Sequence, residues 1–127
     1  MILYHYTTKE FYDKIARSEE LRPSTPWTTM DAYAGDGWYF TDLTPSNSNI
    51  TIAEHCWSDT SPATLLRVEC YLKFDIDVEY IHKTRPHVYM MSRDTIREGM
   101  LNLINYTNKN KKVVIEYITG GRKPFVP

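Results

Sequence analysis

A strict alternation of apolar and polar residues from 65 to 76 constrains the fold most. Leu66, Val68, Cys70, Leu72, Phe74 and Ile76 alternate with Arg67, Glu69, Tyr71, Lys73 and Asp75. Because successive side chains of a strand point to opposite faces, this pattern predicts a strand with one buried face. The chain is therefore expected to contain a sheet whose apolar side packs against another layer.

Further segments rich in β-branched and aromatic residues predict strands at 2–6, 38–41, 87–91 and 113–118. These strands follow one another too closely for repeated crossover helices. The sequence therefore predicts an α+β fold with a largely antiparallel or mixed sheet, in one domain that spans residues 1–127.

Helices are predicted between these strands. Residues 7–10 read Thr-Thr-Lys-Glu, a capping-box pattern that starts a helix of about 10 residues. A short helix is predicted at 50–57, and Ser92 is expected to cap another. The apolar face of that last helix comprises Ile96, Met100, Leu103 and Ile104. Loops are expected at 25–36 and 44–49.

The net charge of −1 gives no broad basic field, so tight non-specific binding to nucleic acid is not expected. Two short basic segments, 109–112 and 122–123, are interpreted as solvated loops. Cys56 and Cys70 are too few for a disulfide framework or a zinc site. Both lie beside apolar residues, and we expect buried free thiols, as in a reducing compartment.

Residue spacing and the length of apolar runs argue against a metal site and against a membrane-spanning segment. The histidines lack ligand spacing with carboxylates or cysteines, so no metal site is expected. The N-terminus has no signal-peptide pattern, and no apolar run approaches the ~20 residues of a transmembrane helix. These features predict a protein of the cytoplasm with no membrane partner.

Two ordered motifs carry a family resemblance. Residues 3–7 read Leu-Tyr-His-Tyr-Thr and precede the first helix, and residues 35–42 read Gly-Asp-Gly-Trp-Tyr-Phe-Thr-Asp. His5 and Tyr39 lie 34 residues apart in these motifs. The set resembles the diphtheria-toxin-like ADP-ribosyltransferases, which include the poly-ADP-ribose polymerases. It is most similar to their bacterial toxin group named for a His-Tyr-Asp signature.

The resemblance implies a split mixed or antiparallel sheet with a few short helices, and NAD as the substrate. It implies that His5 hydrogen-bonds a ribose hydroxyl of NAD and that the backbone of Tyr6 grips the nicotinamide amide. Tyr39 would stack on the nicotinamide ring. Many relatives have glycine where this chain has Tyr6.

The resemblance also suggests further residues around bound NAD. Thr7, Phe40 and Asp42 are expected to line the NAD site. His55 falls where polymerase-like members carry a second stacking aromatic, and the alternative is an exposed helix residue. No metal is implied.

The third catalytic residue is expected to be a carboxylate, because cleavage of the nicotinamide–ribose bond builds positive charge on the ribose. Glu116 lies in an apolar strand that is similar to the late Glu-Tyr-Ile strand of the polymerases. Burying an unpaired carboxylate there would be costly, which favours a functional role for Glu116. Asp42, Asp75 and Asp77 stay open as alternatives.

The resulting hypothesis is a transferase that moves ADP-ribose from NAD to a macromolecule, either RNA, DNA or protein. Because the chain begins at its first catalytic strand, we expect a free-standing toxin of a toxin–antitoxin or phage-defence system, with a neutralising antitoxin or immunity protein. The alternatives are an NAD glycohydrolase and a non-catalytic binding module on the same fold. An aromatic segment around Trp27, Tyr33 and Trp38 would stack bases or cover NAD.

Overall fold

The computed structural model describes residues 1–23, 37–95, 101–102 and 105–127. Its strands are β1 (Ile2–Thr7), β2 (Glu20–Leu21), β3 (Gly37–Thr41), β4 (Cys70–Ile76), β5 (His82–Arg85), β6 (Val88–Ser92), β7 (Leu101–Asn102), β8 (Asn105–Thr107) and β9 (Val113–Arg122). A seven-stranded sheet has the order β5-β6-β3-β1-β4-β9-β8, and β2 pairs with β7. Every pairing among these described strands is antiparallel, so the predicted α+β class is confirmed.

Three α-helices lie within the described residues: α1 (Lys9–Ser18), α2 (Asn49–Trp57) and α3 (Pro62–Leu65). Each begins at a hydroxyl side chain that accepts a hydrogen bond from a backbone N–H of the first turn. The first cap is Thr8, one residue later than the capping-box pattern predicts, because Thr7 still pairs with Cys70 in the sheet. The helix predicted at 50–57 is confirmed as α2.

Apolar side chains pack on both faces of the sheet. On one face Leu3, Phe40, Leu72 and Phe74 form a core against which Tyr12 and Ile15 of α1 pack. On the other face Tyr4 and Tyr6 pack with Ile52, Ala53 and Val68. The central strand β1 thus contributes alternate residues to two cores, and helices cover both faces.

The strand predicted from residue 65 begins only at Cys70, so the prediction is wrong for residues 65–69. Ser61 caps α3, Pro62 occupies its first turn, and a 3₁₀ turn continues the helical path through Val68. Leu66 is consequently 55% exposed rather than inside the core. The local cap and the N-terminal proline override the alternating pattern at this end.

The helix predicted after Ser92 is wrong where the structure can test it. Residues Arg93–Thr95 form a 3₁₀ turn, and Leu101–Asn102 is a strand paired with β2. Leu101 lies opposite Leu21, so long-range pairing replaces the local helical pattern. The apolar positions of that helix, Ile96, Met100, Leu103 and Ile104, and the loop predicted at 25–36 lie outside the described residues.

The basic segment 109–112 is an exposed turn, as predicted, whereas the segment 122–123 is not a solvated loop. Lys112 contacts the carboxylates of Asp77 and Glu79 at 3.0 and 2.8 Å. Arg122 belongs to β9, and Lys123 is only 6% exposed. Its ammonium group donates to Asn49 Oδ1 and to the carbonyl of Pro124 at 2.6 and 2.9 Å. The solvated-loop prediction is therefore wrong for Lys123, because the returning strand buries it against α2.

Both cysteines are free thiols, with Cys70 buried and Cys56 half-buried. No group of three or more metal-ligating side chains occurs among the residues that the structure describes. Within the same residues, no helix is long and apolar enough to cross a membrane.

Candidate active site

A cleft opens where the central strand β1 separates from β3. β1 pairs with β4 through six consecutive residues, whereas it pairs with β3 only at Tyr4 and Thr41. Beyond that pair the two strands diverge, and a cleft of about 950 Å³ lies in and around the gap. The sheet is thus split at the strands that carry the two sequence motifs.

Six segments line the cleft. They are the second half of β1, the exposed side of α1 with residues 20–23, strand β3, the end of α2, Arg67, and Val88 at the start of β6. The predicted residues among them are His5, Tyr6, Thr7, Tyr39 and Phe40. Both motifs therefore meet in one cavity, which lies within the 300–1,000 Å³ range that small-molecule sites usually occupy.

The imidazole of His5 bridges the gap. Its Nδ1 lies 3.1 Å from the carbonyl oxygen of Tyr39. Because a carbonyl oxygen only accepts, Nδ1 carries the proton and Nε2 is left as a hydrogen-bond acceptor. Burial lowers the pKa of His5, and the bond to Tyr39 offsets this only in part. His5 is therefore neutral at pH 7.

Tyr39 and Phe40 extend from opposite faces of β3. Phe40 is buried, and its ring contacts the His5 ring edge-on with centroids 6.2 Å apart. A second edge contact with Phe74 anchors Phe40 in the core. Tyr39 is half-buried and borders the cleft. Phe40 thus supports the imidazole, while Tyr39 forms part of the cleft lining.

Tyr6 and Thr7 line the cleft as residues of β1, and the Tyr6 hydroxyl and the Thr7 side chain are buried in the protein interior. The Tyr6 hydroxyl donates to the carbonyl of Leu43 at 2.7 Å, and burial raises its pKa. Thr7 is buried beside α1. The Tyr6 side chain is therefore committed to the core.

Asp42 and His55 lie outside the cleft lining. Asp42 accepts from Nδ1 of His87 at 2.7 Å and from the hydroxyl of Tyr89 at 3.0 Å. His55 bonds the carbonyl of Thr51 at 2.9 Å, and its ring contacts that of His87. These groups form a separate polar cluster at the end of the sheet.

Trp57, two residues after His55, borders the cleft instead. The sequence pattern of α2 does not show which of its aromatic residues turns towards β1, because that depends on how the helix packs. The guanidinium of Arg67 lies 5.6 Å from the centre of the Trp57 ring.

The structure does not bring Glu116, Asp75 or Asp77 to the cleft. Glu116 is exposed on β9 and pairs with Asp75, which in turn pairs with Ile2 at the far end of β1. Asp75 bonds the N-terminal ammonium at 2.9 Å, and Asp77 binds Lys112. Among the described residues, Glu20 is the carboxylate that lines the cleft, a position that no sequence pattern marked.

Trp38 is a core residue rather than a platform for bases. It is 1% exposed, and its indole N–H donates to the carbonyl of Leu21 at 2.7 Å. The prediction that it stacks bases or covers NAD is therefore wrong. Trp27 and Tyr33, the other residues of that aromatic segment, lie outside the described residues.

Comparison with known proteins agrees with this geometry. Residues 3–103 match the family of HYD1 signature containing ADP-ribosyltransferases, a toxin family. No curated protein matches the chain, and no solved structure matches it. The matched span contains both motifs of the cleft and ends before Glu116. The chain therefore belongs to the HYD1-signature family of ADP-ribosyltransferase toxins.

Proposed function

We propose that this chain cleaves NAD at its nicotinamide–ribose bond and transfers ADP-ribose to a macromolecular acceptor. The observation that carries the proposal is the His5–Tyr39 hydrogen bond across the gap between β1 and β3. It holds the two signature residues at one cleft, inside the span that matches the transferase family.

Each residue has a task that its geometry permits. The free Nε2 of His5 accepts a hydrogen bond from a ribose hydroxyl of NAD. Tyr39, which lines the cleft, stacks its ring on the nicotinamide, a flat cation that an aromatic face attracts by ~1–2 kcal/mol once it is desolvated. Because β1 and β3 diverge beyond Tyr4, the β1 backbone at Tyr6 and Thr7 faces the cleft. We propose that this backbone hydrogen-bonds the amide group of the nicotinamide.

The reaction also needs a carboxylate near the ribose. Bond cleavage places positive charge on the ribose, which a nearby carboxylate stabilises more in the transition state than in the ground state. Glu20 is the described carboxylate at the cleft, and we assign it this role in preference to Glu116. Asp42 lies within the matched family span, three residues after Tyr39, and is the second candidate.

Release of nicotinamide from NAD by the purified chain tests this function. We expect His5→Ala to lower the rate by at least about a hundredfold, the scale of losing an oriented electrostatic contact. Tyr39→Ala should lower it by about 5- to 30-fold, the loss that ~1–2 kcal/mol of stacking implies. Tyr39→Phe, which keeps the ring, should retain most of the rate. His82→Ala removes an exposed histidine of β5 and serves as the matched control. Equal rates for all variants would contradict the proposal.

Two alternatives give different products. If water is the acceptor, radiolabelled NAD yields free ADP-ribose and leaves no label on macromolecules. If the chain is a non-catalytic module, the wild type releases no nicotinamide at all. Transfer predicts label on a macromolecule, and this outcome distinguishes the three functions.

The family match to toxins also supports a cellular proposal. We propose that the chain acts in the cytoplasm as the toxin of a toxin–antitoxin or phage-defence system and has a neutralising protein partner. Induced expression of the wild type should arrest growth, whereas His5→Ala should not. Unimpaired growth with the wild type at a verified protein level would contradict this role.

A further inference from the structure

Positive charge is concentrated at the cleft, although the whole chain has a net charge of −1. The charged side chains of the cleft lining are Lys14, Arg17, Arg22 and Arg67, with Glu20 as the one acid among the described residues. A concave surface lined by one sign of charge raises the local concentration of the opposite charge. The cleft is therefore built to receive an anionic ligand.

Three of these cations lie on one wall. Lys14 and Arg17 are three residues apart on α1, so they share a helix face, and Arg22 follows directly after β2. All three are exposed. Lys14 approaches Glu10 at 3.3 Å, but both side chains are largely exposed, so this pair is weak and Lys14 can exchange Glu10 for an incoming phosphate at little cost.

An aromatic ring lies within this basic row. Phe11 lies one turn before Lys14 on α1, also lines the cleft and is 55% exposed. The ammonium of Lys14 is 5.2 Å from the centre of its ring. We call Phe11, Lys14, Arg17 and Arg22 the α1 strip. Exposed aromatic rings among cations are how proteins bind single-stranded nucleic acids, with bases stacked and phosphates paired.

NAD alone does not account for the α1 strip. Its pyrophosphate carries two negative charges, fewer than the cations of the cleft, and Arg67 beside Trp57 lies on the opposite wall. We propose that the α1 strip binds a single-stranded nucleic acid, which is the acceptor of the ADP-ribose. This inference rests on the proposed function, since it names the acceptor of the same cleft.

The transfer step balances without a further reactant. A hydroxyl or base nitrogen of the nucleic acid attacks the anomeric carbon of the nicotinamide ribose. The bond from that carbon to the nicotinamide nitrogen breaks, and its electron pair neutralises the pyridinium. Nicotinamide leaves, and the proton of the attacking group passes to solvent.

Direct binding tests the strip without NAD. Wild type should bind a fluorescent 12-nucleotide RNA, and Lys14→Gln/Arg17→Gln should bind it about tenfold more weakly. The slope of log affinity against log salt should also fall by about 1.4, at about 0.7 for each lost phosphate contact. Phe11→Ala should weaken binding with little change in that slope.

The control is Lys83→Gln/Lys109→Gln. It removes the same charge at two exposed lysines, on β5 and in the turn before β9, neither of which lines the cleft. We expect its affinity and salt slope to match the wild type. Equal losses in both double variants would mean that only net charge matters, and would overturn the strip as a site.

A transfer assay then separates this inference from the proposed function. With radiolabelled NAD, RNA and a soluble protein extract together, label should accumulate on RNA, and the ratio of transferred to hydrolysed ADP-ribose should fall at least about fivefold in Lys14→Gln/Arg17→Gln. Label on protein alone would overturn nucleic acid as the acceptor but uphold transfer. Absence of nicotinamide release from the wild type would overturn the proposed function itself.

Discussion

The imidazole Nδ1 of His5 donates a hydrogen bond to the carbonyl of Tyr39 at 3.1 Å, across the gap where β1 and β3 separate. The bond fixes the tautomer of the histidine and directs its acceptor nitrogen away from β3. It also couples the two motifs, so displacement of either strand changes the cleft at both residues.

The lowered pKa of His5 predicts how activity depends on pH. Because burial keeps the ring neutral below the ordinary value of 6.5, nicotinamide release should persist below pH 6.5 and fall only at lower pH. Protonation would turn the Nε2 acceptor into a donor. A pH profile of kcat/KM with an acid limb centred above 6.5 would contradict this.

The same group links stability to pH. The folded pKa lies below the unfolded one, so between the two values the unfolded chain binds more protons. The contribution of His5 to stability is present above pH 6.5 and is lost as the pH falls towards the folded pKa. Urea unfolding of wild type and His5→Gln should show a difference that shrinks or reverses in this window.

The position of the carboxylates predicts unequal effects on the rate. Glu20→Gln should lower kcat by about a hundredfold, because Glu20 borders the cleft. Glu116→Gln should stay within about twofold, because exposed substitutions away from special features have small effects. Nicotinamide release measures both. A large loss in Glu116→Gln with an unchanged Glu20→Gln would restore the assignment suggested by the Glu-Tyr-Ile motif.

We expect Trp57 to contribute to the binding of NAD rather than to the cleavage step. Trp57→Ala should raise KM for NAD several-fold with a smaller change in kcat, because an aromatic wall holds substrate and transition state alike. Trp57→Phe should retain most of the affinity. An effect confined to kcat would show that Trp57 acts in the chemical step instead.

Gly37 is expected to be essential for the packing of β3 on β6. A Cβ at Gly37 would collide with the backbone carbonyl of Met91, which cannot move without disturbing the sheet. Gly37→Ala should therefore destabilise the fold by ~1–3 kcal/mol. Gly121→Ala is the matched control, since a Cβ there meets no atom within 4 Å. Equal unfolding midpoints in denaturant for the two variants would contradict this packing.

Local patterns in the sequence determined several strands, the first helix and two residues of the candidate site. Alternation identified the strand that runs through Leu72 and Phe74, a capping-box pattern predicted α1, and the two motifs identified His5 and Tyr39. These signals depend on neighbours within one turn or one strand, so they can be recognised without knowing the rest of the fold.

Long-range packing decided the strand pairing, the orientation of the helices and the residues that surround the cleft. Strand pairing placed Glu116 beside Asp75 and away from His5, and it converted Leu101–Asn102 into a strand. Helix packing turned Trp57 towards the cleft and gathered cations from α1, Arg22 and Arg67 in a chain of nearly zero net charge. Register and helix orientation arise from contacts between residues far apart in sequence, and no local pattern contains them. The sequence therefore determined which two residues meet, His5 and Tyr39, and the tertiary structure decided what surrounds them.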